Sequence, residues 1–330
     1  MAKRSAPTTI ALSGALAAIL TACSGPTEEA NTARSPTRPQ PTRQPANTPT
    51  SGETVTGIDE LLAPGAALEL LIDGVGFTEG PLWLPDGRLI FSRMSDDSVA
   101  ALGSDGALTD YLRPSGIANG HAFDWTGRIL QAEHVGRITR LELDGSVTVL
   151  AESYDGRRLN SPNDLVVRSD GVIFFTDPSF GLNGRDSELG FQGVFRLDPA
   201  SQDLRVLTQV LPMPNGIGLS PDEQTLYVSD TTLGQVFAFS LTDDDKLGER
   251  QLVGAGIDGL LVDSDGRIWS TASEGVHVLT PTGQDLGTLR LAQGATNVAL
   301  GGSTGQTLFI TTSTGLYRVE TRVVEAAPGH

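Results

Sequence analysis

Residues 258–271 read DGLLVDSDGRIWST. A polar residue opens the segment, a short apolar run follows, a turn closes on Gly266, and a second apolar run ends it. Asp-Ser-Asp-Gly is turn chemistry, because Asp and Ser bond their own backbone and Gly accepts a positive φ. Two apolar runs around such a turn read as a β-hairpin. The same arrangement recurs five times, beginning at Glu79 (EGPLWLPDGRLIFS), Asn119 (NGHAFDWTGRILQA), Asn163 (NDLVVRSDGVIFFT), Asn215 (NGIGLSPDEQTLYVS) and Asn297 (NVALGGSTGQTLFIT). Gly87, Gly127, Gly171, Gly266 and Gly305 occupy equivalent turn positions, while the Asn215 segment has Glu223-Gln224 in a turn one residue longer. The starts lie 40, 44, 52, 43 and 39 residues apart, and a period of this size marks a stacked repeat.

Working outward, each hairpin is followed by a third apolar run, at residues 99–102, 138–141, 194–197, 236–239, 276–279 and 316–319. Fourth-strand candidates follow in the first five repeats, for example residues 147–150 and 204–207. The last repeat lacks one, and the run at residues 68–72 precedes the first repeat and can fill the place. The sequence therefore predicts an all-β fold, a six-bladed β-propeller of four-stranded antiparallel blades over residues 58–324, its ring closed by an N-terminal strand. Closure of that kind removes an exposed sheet edge.

The chain start has a different character. Lys3 and Arg4 precede a small, apolar run at residues 10–20, too short for a spanning anchor, which ends in Leu20-Thr21-Ala22-Cys23. That box is similar to a bacterial lipoprotein cleavage site. Residues 1–22 are expected to be a signal peptide and Cys23 the lipidated N-terminus of an exported protein held at the cell-envelope membrane. Cys23 is the single cysteine, so disulfides, cysteine metal sites and thiol nucleophiles are excluded from the mature domain. Residues 23–57, rich in Pro, Thr, Arg and Asn, read as a flexible tether, and residues 325–330 as a short tail. The formal charge of −17 becomes −19 when Lys3 and Arg4 leave with the signal peptide, a balance that repels nucleic acid. The expected partner is a small molecule, the expected state a monomer, and membrane contact runs through the lipid alone.

In a propeller the first strand of each blade lines the central channel. Glu79, Asn119, Asn163, Asn215, Asp258 and Asn297 open those strands and so share one height around one axis. Asn and Asp before Gly are also common turn formers, but Glu is not. Convergent oxygen donors replace the hydration shell of a hard cation, and Ca²⁺ takes about 6–8 of them. Mn²⁺ and Mg²⁺ share the preference for oxygen, whereas Zn²⁺ is disfavoured by the lack of thiolate or imidazole donors in the set.

Glu79-Gly80-Pro81-Leu82-Trp83, Asn160-Ser161-Pro162-Asn163-Asp164, Pro214-Asn215-Gly216 and Asp258-Gly259 resemble the signature segments of the senescence marker protein/gluconolactonase/luciferin-regenerating enzyme family, in the family's order and within about residues 65–320. The resemblance implies a six-bladed propeller holding a divalent metal, often calcium, and a hydrolase acting on sugar lactones. It implies Glu79, Asn215 and Asp258 as metal ligands, Asn163 as a residue that ligates or faces the metal and contacts substrate, and Asp164 as a neighbouring acid active in catalysis in some members, with a turn residue as the alternative. On that reading the metal polarises a lactone carbonyl and water attacks it. Asp258 or Asp164 takes the proton, and no activated Ser or Cys nucleophile is required. Asn119 is a candidate substrate contact. His121 stands where the family has an aliphatic residue; it is either a substrate contact or a blade histidine satisfied by its neighbours, and a proton-shuttling pair with His134 is a further alternative. Phosphotriester or aryl ester hydrolysis at the same metal, and a non-catalytic propeller with structural calcium, are the rival functions. Specificity is expected in loops over the channel such as residues 179–191.

Overall fold

The computed structural model describes residues 57–326; the signal peptide, Cys23 and residues 23–56 of the tether lie outside them. The described chain holds six four-stranded antiparallel sheets and no α-helix. Among the described residues no helix is long and apolar enough to cross a membrane. The innermost strands of blades 1 to 6 are Thr78–Trp83, Ala118–Phe123, Leu165–Val167, Pro214–Leu219, Leu260–Val262 and Ala295–Gly301. Each touches the innermost strand of the next blade, and the sixth touches the first, so the ring is closed.

The ring is sealed as the repeat count requires. Glu69–Ile72 pairs antiparallel with Leu316–Glu320 and supplies the outer strand of blade 6. The Trp83 ring of blade 1 stacks on Phe309 of blade 6 at 5.3 Å, packing the seam. Burial falls from the axis outward. The second strand Ile173–Asp177 is buried throughout, while the fourth strand Val147–Ala151 alternates between exposed and half-buried. Apolar side chains therefore pack between blades. Leu130 and Ile138 of blade 2 share a cluster with Phe175 and Phe195 of blade 3, and Trp269 and Val276 of blade 5 pack with Leu308 and Ile310 of blade 6. Interfaces of this size replace the disulfides the composition denies.

Two features lengthen the blade 2 and blade 3 repeats. A small ribbon, Ser153–Tyr154 paired with Arg157–Arg158, precedes blade 3. Residues 178–192 form a long connection between the second and third strands of blade 3, with one 3-10 turn at Phe180–Leu182. After the last strand the chain continues onto blade 5, where Ser264 N donates to Val324 O at 2.9 Å.

Candidate metal centre and active site

The strand openers are set by hydroxyl latches between blades. Ser92 Oγ donates to Asn119 O at 2.9 Å, Thr176 Oγ1 to Asn215 O at 2.6 Å, and Ser229 Oγ to Asp258 O at 2.5 Å. Thr271 Oγ1 donates to Thr296 O at 3.0 Å, one residue before Asn297. The blade 2–blade 3 joint uses backbone instead, Gly120 N donating to Asn163 O at 2.9 Å. Each hydroxyl latch sits on the second strand of one blade and holds the opener of the next or, in blade 6, the residue before it.

Glycine lets these strands approach. Gly80 adopts φ +49°, and a Cβ there would lie 2.0 Å from Asn119 O; a Cβ at Gly120 would lie 2.3 Å from Asp164 Oδ1. The inner strands are also bulged at the openers, with register shifts between Glu79 and Leu82, Ala118 and His121, Pro214 and Ile217, and Ala295 and Val298. A bulge re-aims a side chain at the rim of a closed sheet.

The structure brings Glu79, Asp164, Asp258, Asn215 and Asn297 into one cluster. Glu79 and Asp164 are buried, and Asp258 is half-buried. Loss of water raises Glu79 well above the usual carboxylate range, and the charges of Asp258 and Asp164 raise it further. Desolvation likewise pushes Asp258 up to about 8, with Asp164 adding repulsion and the Asn215 amide offsetting part of it. Asp164 rises to about 7 through burial, against the opposing effects of the Leu165 N–H and the Asn297 amide. Among the described residues none of the three carboxylates has an ion-pair partner.

The amides complete the picture. Asn215 Nδ2 donates to Thr231 Oγ1 at 3.0 Å, and Asn215 Oδ1 is buried with no hydrogen-bond partner. Asn119 Oδ1 is buried and bare as well. Among the described residues no three acidic, histidine or cysteine side chains converge as a ready metal site; the convergence here is of carboxylates with amide oxygens. Clustered carboxylates without a cation, beside the Asn215 oxygen without a donor, are a costly arrangement that a hard divalent ion relieves. The donor chemistry fits.

Asn163 is buried in the same ring, its N–H donating to Thr176 O at 2.9 Å. The loop before it is held by Asp177, whose carboxylate accepts from Asn160 N at 2.9 Å and Ser161 N at 2.7 Å. Ser187 Oγ donates to Asn160 Oδ1 at 2.5 Å, and Gly181 N donates to Ser161 Oγ at 2.9 Å, so the 178–192 connection is tied to the Asn163 loop.

The two histidines are engaged separately. His121 Nδ1 donates to Gly80 O at 2.7 Å, Nε2 is buried and bare, and burial lowers its pKa to about 4. His134 is buried too, lowered to about 4 by desolvation, and its Nε2 lies 3.2 Å from Asn119 Nδ2. Below the ring the channel encloses about 250 Å³, lined by His121, Asp164 and Asn297 above and by Leu82, Val166, Ile217, Leu260 and Val298 along its length. The sequence places Asn297 in the ring of openers as the sixth oxygen donor, without a ligand or substrate role of its own. It gives Thr231 and Asp177 no role, and nothing in the repeat pattern marks them.

The family model for the SMP-30/Gluconolactonase/LRE-like region matches residues 77–314. A gluconolactonase from Zymomonas mobilis is 31% identical over 302 residues, covering 80% of this chain and 84% of its own. The solved structure of a gluconolactonase from Xanthomonas campestris superposes with a TM-score of 0.75 at 36% identity, over 80% of this chain and 92% of that one. The calcium-binding protein regucalcin from Agrobacterium tumefaciens, at 20% identity and a TM-score of 0.65 over 78% of this chain and 96% of that one, shares the fold.

Proposed function

Because the chain belongs to the SMP-30/Gluconolactonase/LRE-like family, we propose that it is a hydrolase that opens lactone rings at the mouth of its channel. The observation that carries this reading is the cluster of Glu79, Asp164 and Asp258, enclosed without basic partners beside the bare oxygen of Asn215. Packing gains nothing from such a set, and burying it costs stability.

Glu79, Asn163, Asn215 and Asp258 would hold a divalent cation; an all-oxygen donor set suits Ca²⁺ best, with Mn²⁺ and Mg²⁺ next. A bound cation supplies Lewis-acid polarisation of the lactone carbonyl and charge to stabilise the developing oxyanion. Asp258 and Asp164 are the carboxylates placed to take the proton of the attacking water, and the carboxylate that takes it returns it to the alkoxide released when the ring opens. Asn163 and Asn119 supply polar contacts to the substrate. His121 is neutral at pH 7 with a free acceptor at Nε2, a second contact for substrate or ordered water. The 178–192 connection, tied to Asn160 and Ser161 beside Asn163, would select among lactones. Export and lipid anchoring through Cys23 belong to the same proposal and rest on the Leu20-Thr21-Ala22-Cys23 box.

The test is a panel of sugar, aliphatic and aryl lactones, with a phosphotriester and an aryl ester alongside. Lactone turnover is expected with Ca²⁺, abolished by EGTA and restored on adding Ca²⁺ back. Turnover of phosphotriester alone, or lactone turnover undiminished in thoroughly stripped protein, contradicts the reading.

A further inference from the structure

The entry to blade 2 contains a polar pair whose two halves are treated very differently. Asn119 Nδ2 lies 3.2 Å from His134 Nε2, while Asn119 Oδ1 is buried with no partner. An amide NH₂ only donates, so Nε2 is the acceptor and the imidazole proton sits on Nδ1. The amide is planar; with Nδ2 turned to His134, Oδ1 is carried on the opposite branch. His134 is itself clamped. Its backbone N–H donates to Ile117 O at 3.0 Å, and a Cβ on Gly181 would lie 2.5 Å from His134 Cβ and 2.7 Å from Nδ1. The turn of the 178–192 connection therefore rests on the ring.

We infer that His134 is a positioning residue that holds the Asn119 amide with Oδ1 presented as an acceptor for a substrate hydroxyl, so that the enzyme selects hydroxylated lactones over unsubstituted ones. The inference rests on the lactonase reading. A buried acceptor with no donor is an unpaid desolvation cost. A lactone hydroxyl removes that cost, and a lactone lacking the hydroxyl leaves it in place, which is how a polar pocket rejects an analogue that is merely smaller. The groups acting on Glu79 are Asp258, Asp164, Gly80 and Asn297, and Asn119 is not among them.

The experiment compares kcat/KM for glucono-δ-lactone and δ-valerolactone, lactones of equal ring size with and without hydroxyls, using the calcium-loaded full chain. The wild type is expected to prefer the hydroxylated lactone by about 100-fold or more. His134→Leu, which removes the acceptor for Nδ2, should cut that preference at least about ten-fold, mainly through KM, with δ-valerolactone turnover within about three-fold of wild type. His134→Gln, whose side-chain oxygen accepts in place of Nε2, should restore the preference. Equal losses on both lactones, or no rescue by glutamine, overturn the positioning role and leave the lactonase reading standing. A wild type that opens neither lactone overturns the lactonase reading and the selectivity with it. The amide orientation is read independently by ¹⁵N NMR at pH 7, where His134 should be the Nδ1–H tautomer; an Nε2–H tautomer means that Oδ1 faces His134, and overturns the inference.

Discussion

The innermost strands bury carboxylates at both ends, and the two ends treat them in opposite ways. At the hairpin turns, Asp124 accepts from Thr126 N at 2.8 Å, Arg128 N at 3.0 Å and Arg128 Nε at 2.9 Å. Asp263 accepts from Asp265 N at 3.0 Å, Arg267 N at 3.0 Å, Arg267 Nε at 2.8 Å and Trp269 Nε1 at 3.0 Å. Desolvation is the largest influence on Asp124 and would raise it, yet the donors of Thr126 and Arg128 together hold it below the usual range. At the strand openings desolvation raises Glu79, Asp164 and Asp258, and the amide and backbone donors they have do not offset it. Carboxylates of the first kind are structure: their lone pairs are used and their charge is matched. Those of the second kind are held ready for something the chain itself does not provide.

The largest expected effect lies at the unmatched end. Glu79→Gln and Asp258→Asn should each lower lactone turnover by about 10³-fold or more while leaving the β-type circular dichroism spectrum unchanged, because each removes charge from the proposed cation site. Wild-type rates in both variants would assign the chemistry elsewhere. At the matched end the expected loss is in stability. Asp263→Ala removes the acceptor of the buried Trp269 N–H and of Arg267 Nε, leaving Arg267 only its ion pair with Asp265, and denaturant unfolding should show a loss of about 3 kcal/mol, with turnover per folded molecule kept. A small stability change at Asp263 with a large activity change would erase the distinction between the two ends.

A smaller effect separates the histidines at the site from the turn groups. His134 stays neutral in the fold down to about pH 4, whereas in the unfolded chain it takes a proton near its ordinary pKa of about 6.5. Its contribution is therefore complete above about pH 6.5 and is lost as the pH falls from there to about 4. At pH 5 the loss amounts to about 2 kcal/mol. His134→Gln should flatten that part of the stability profile relative to wild type, and identical profiles for the two proteins would show that His134 carries a proton in the fold.

How much of this was legible in the sequence follows from the spacing of particular residues. The turn glycines and the polar openers recur at blade intervals, so the sixfold repeat, the closing strand at Glu69–Ile72 and the ring of oxygen donors could be read directly. Asp164 was readable only as a neighbour in a motif. Four blades place Gly after the opener, and blade 3 places Asp there, which puts a third carboxylate against the other two. That exception to the repeat was the available signal. The pairing of His134 with Asn119 was not legible, because it crosses from the second strand to a bulged first strand whose register shifts between Ala118 and His121. Periodicity carries no information about a shift of that kind. The tie between Ser187 and Asn160 depends on the path of a 3-10-containing loop, which no pattern specifies.

The account stands most directly on calcium titration of the metal-stripped chain by isothermal calorimetry, in wild type and in Glu79→Gln. One Ca²⁺ per chain is predicted for the wild type, with binding lost or weakened at least about 100-fold in the variant, since a carboxylate ligand is replaced by a neutral amide. A wild type that takes up no divalent ion, or a variant that binds as tightly as wild type, would contradict the claim that these carboxylates are gathered to hold one.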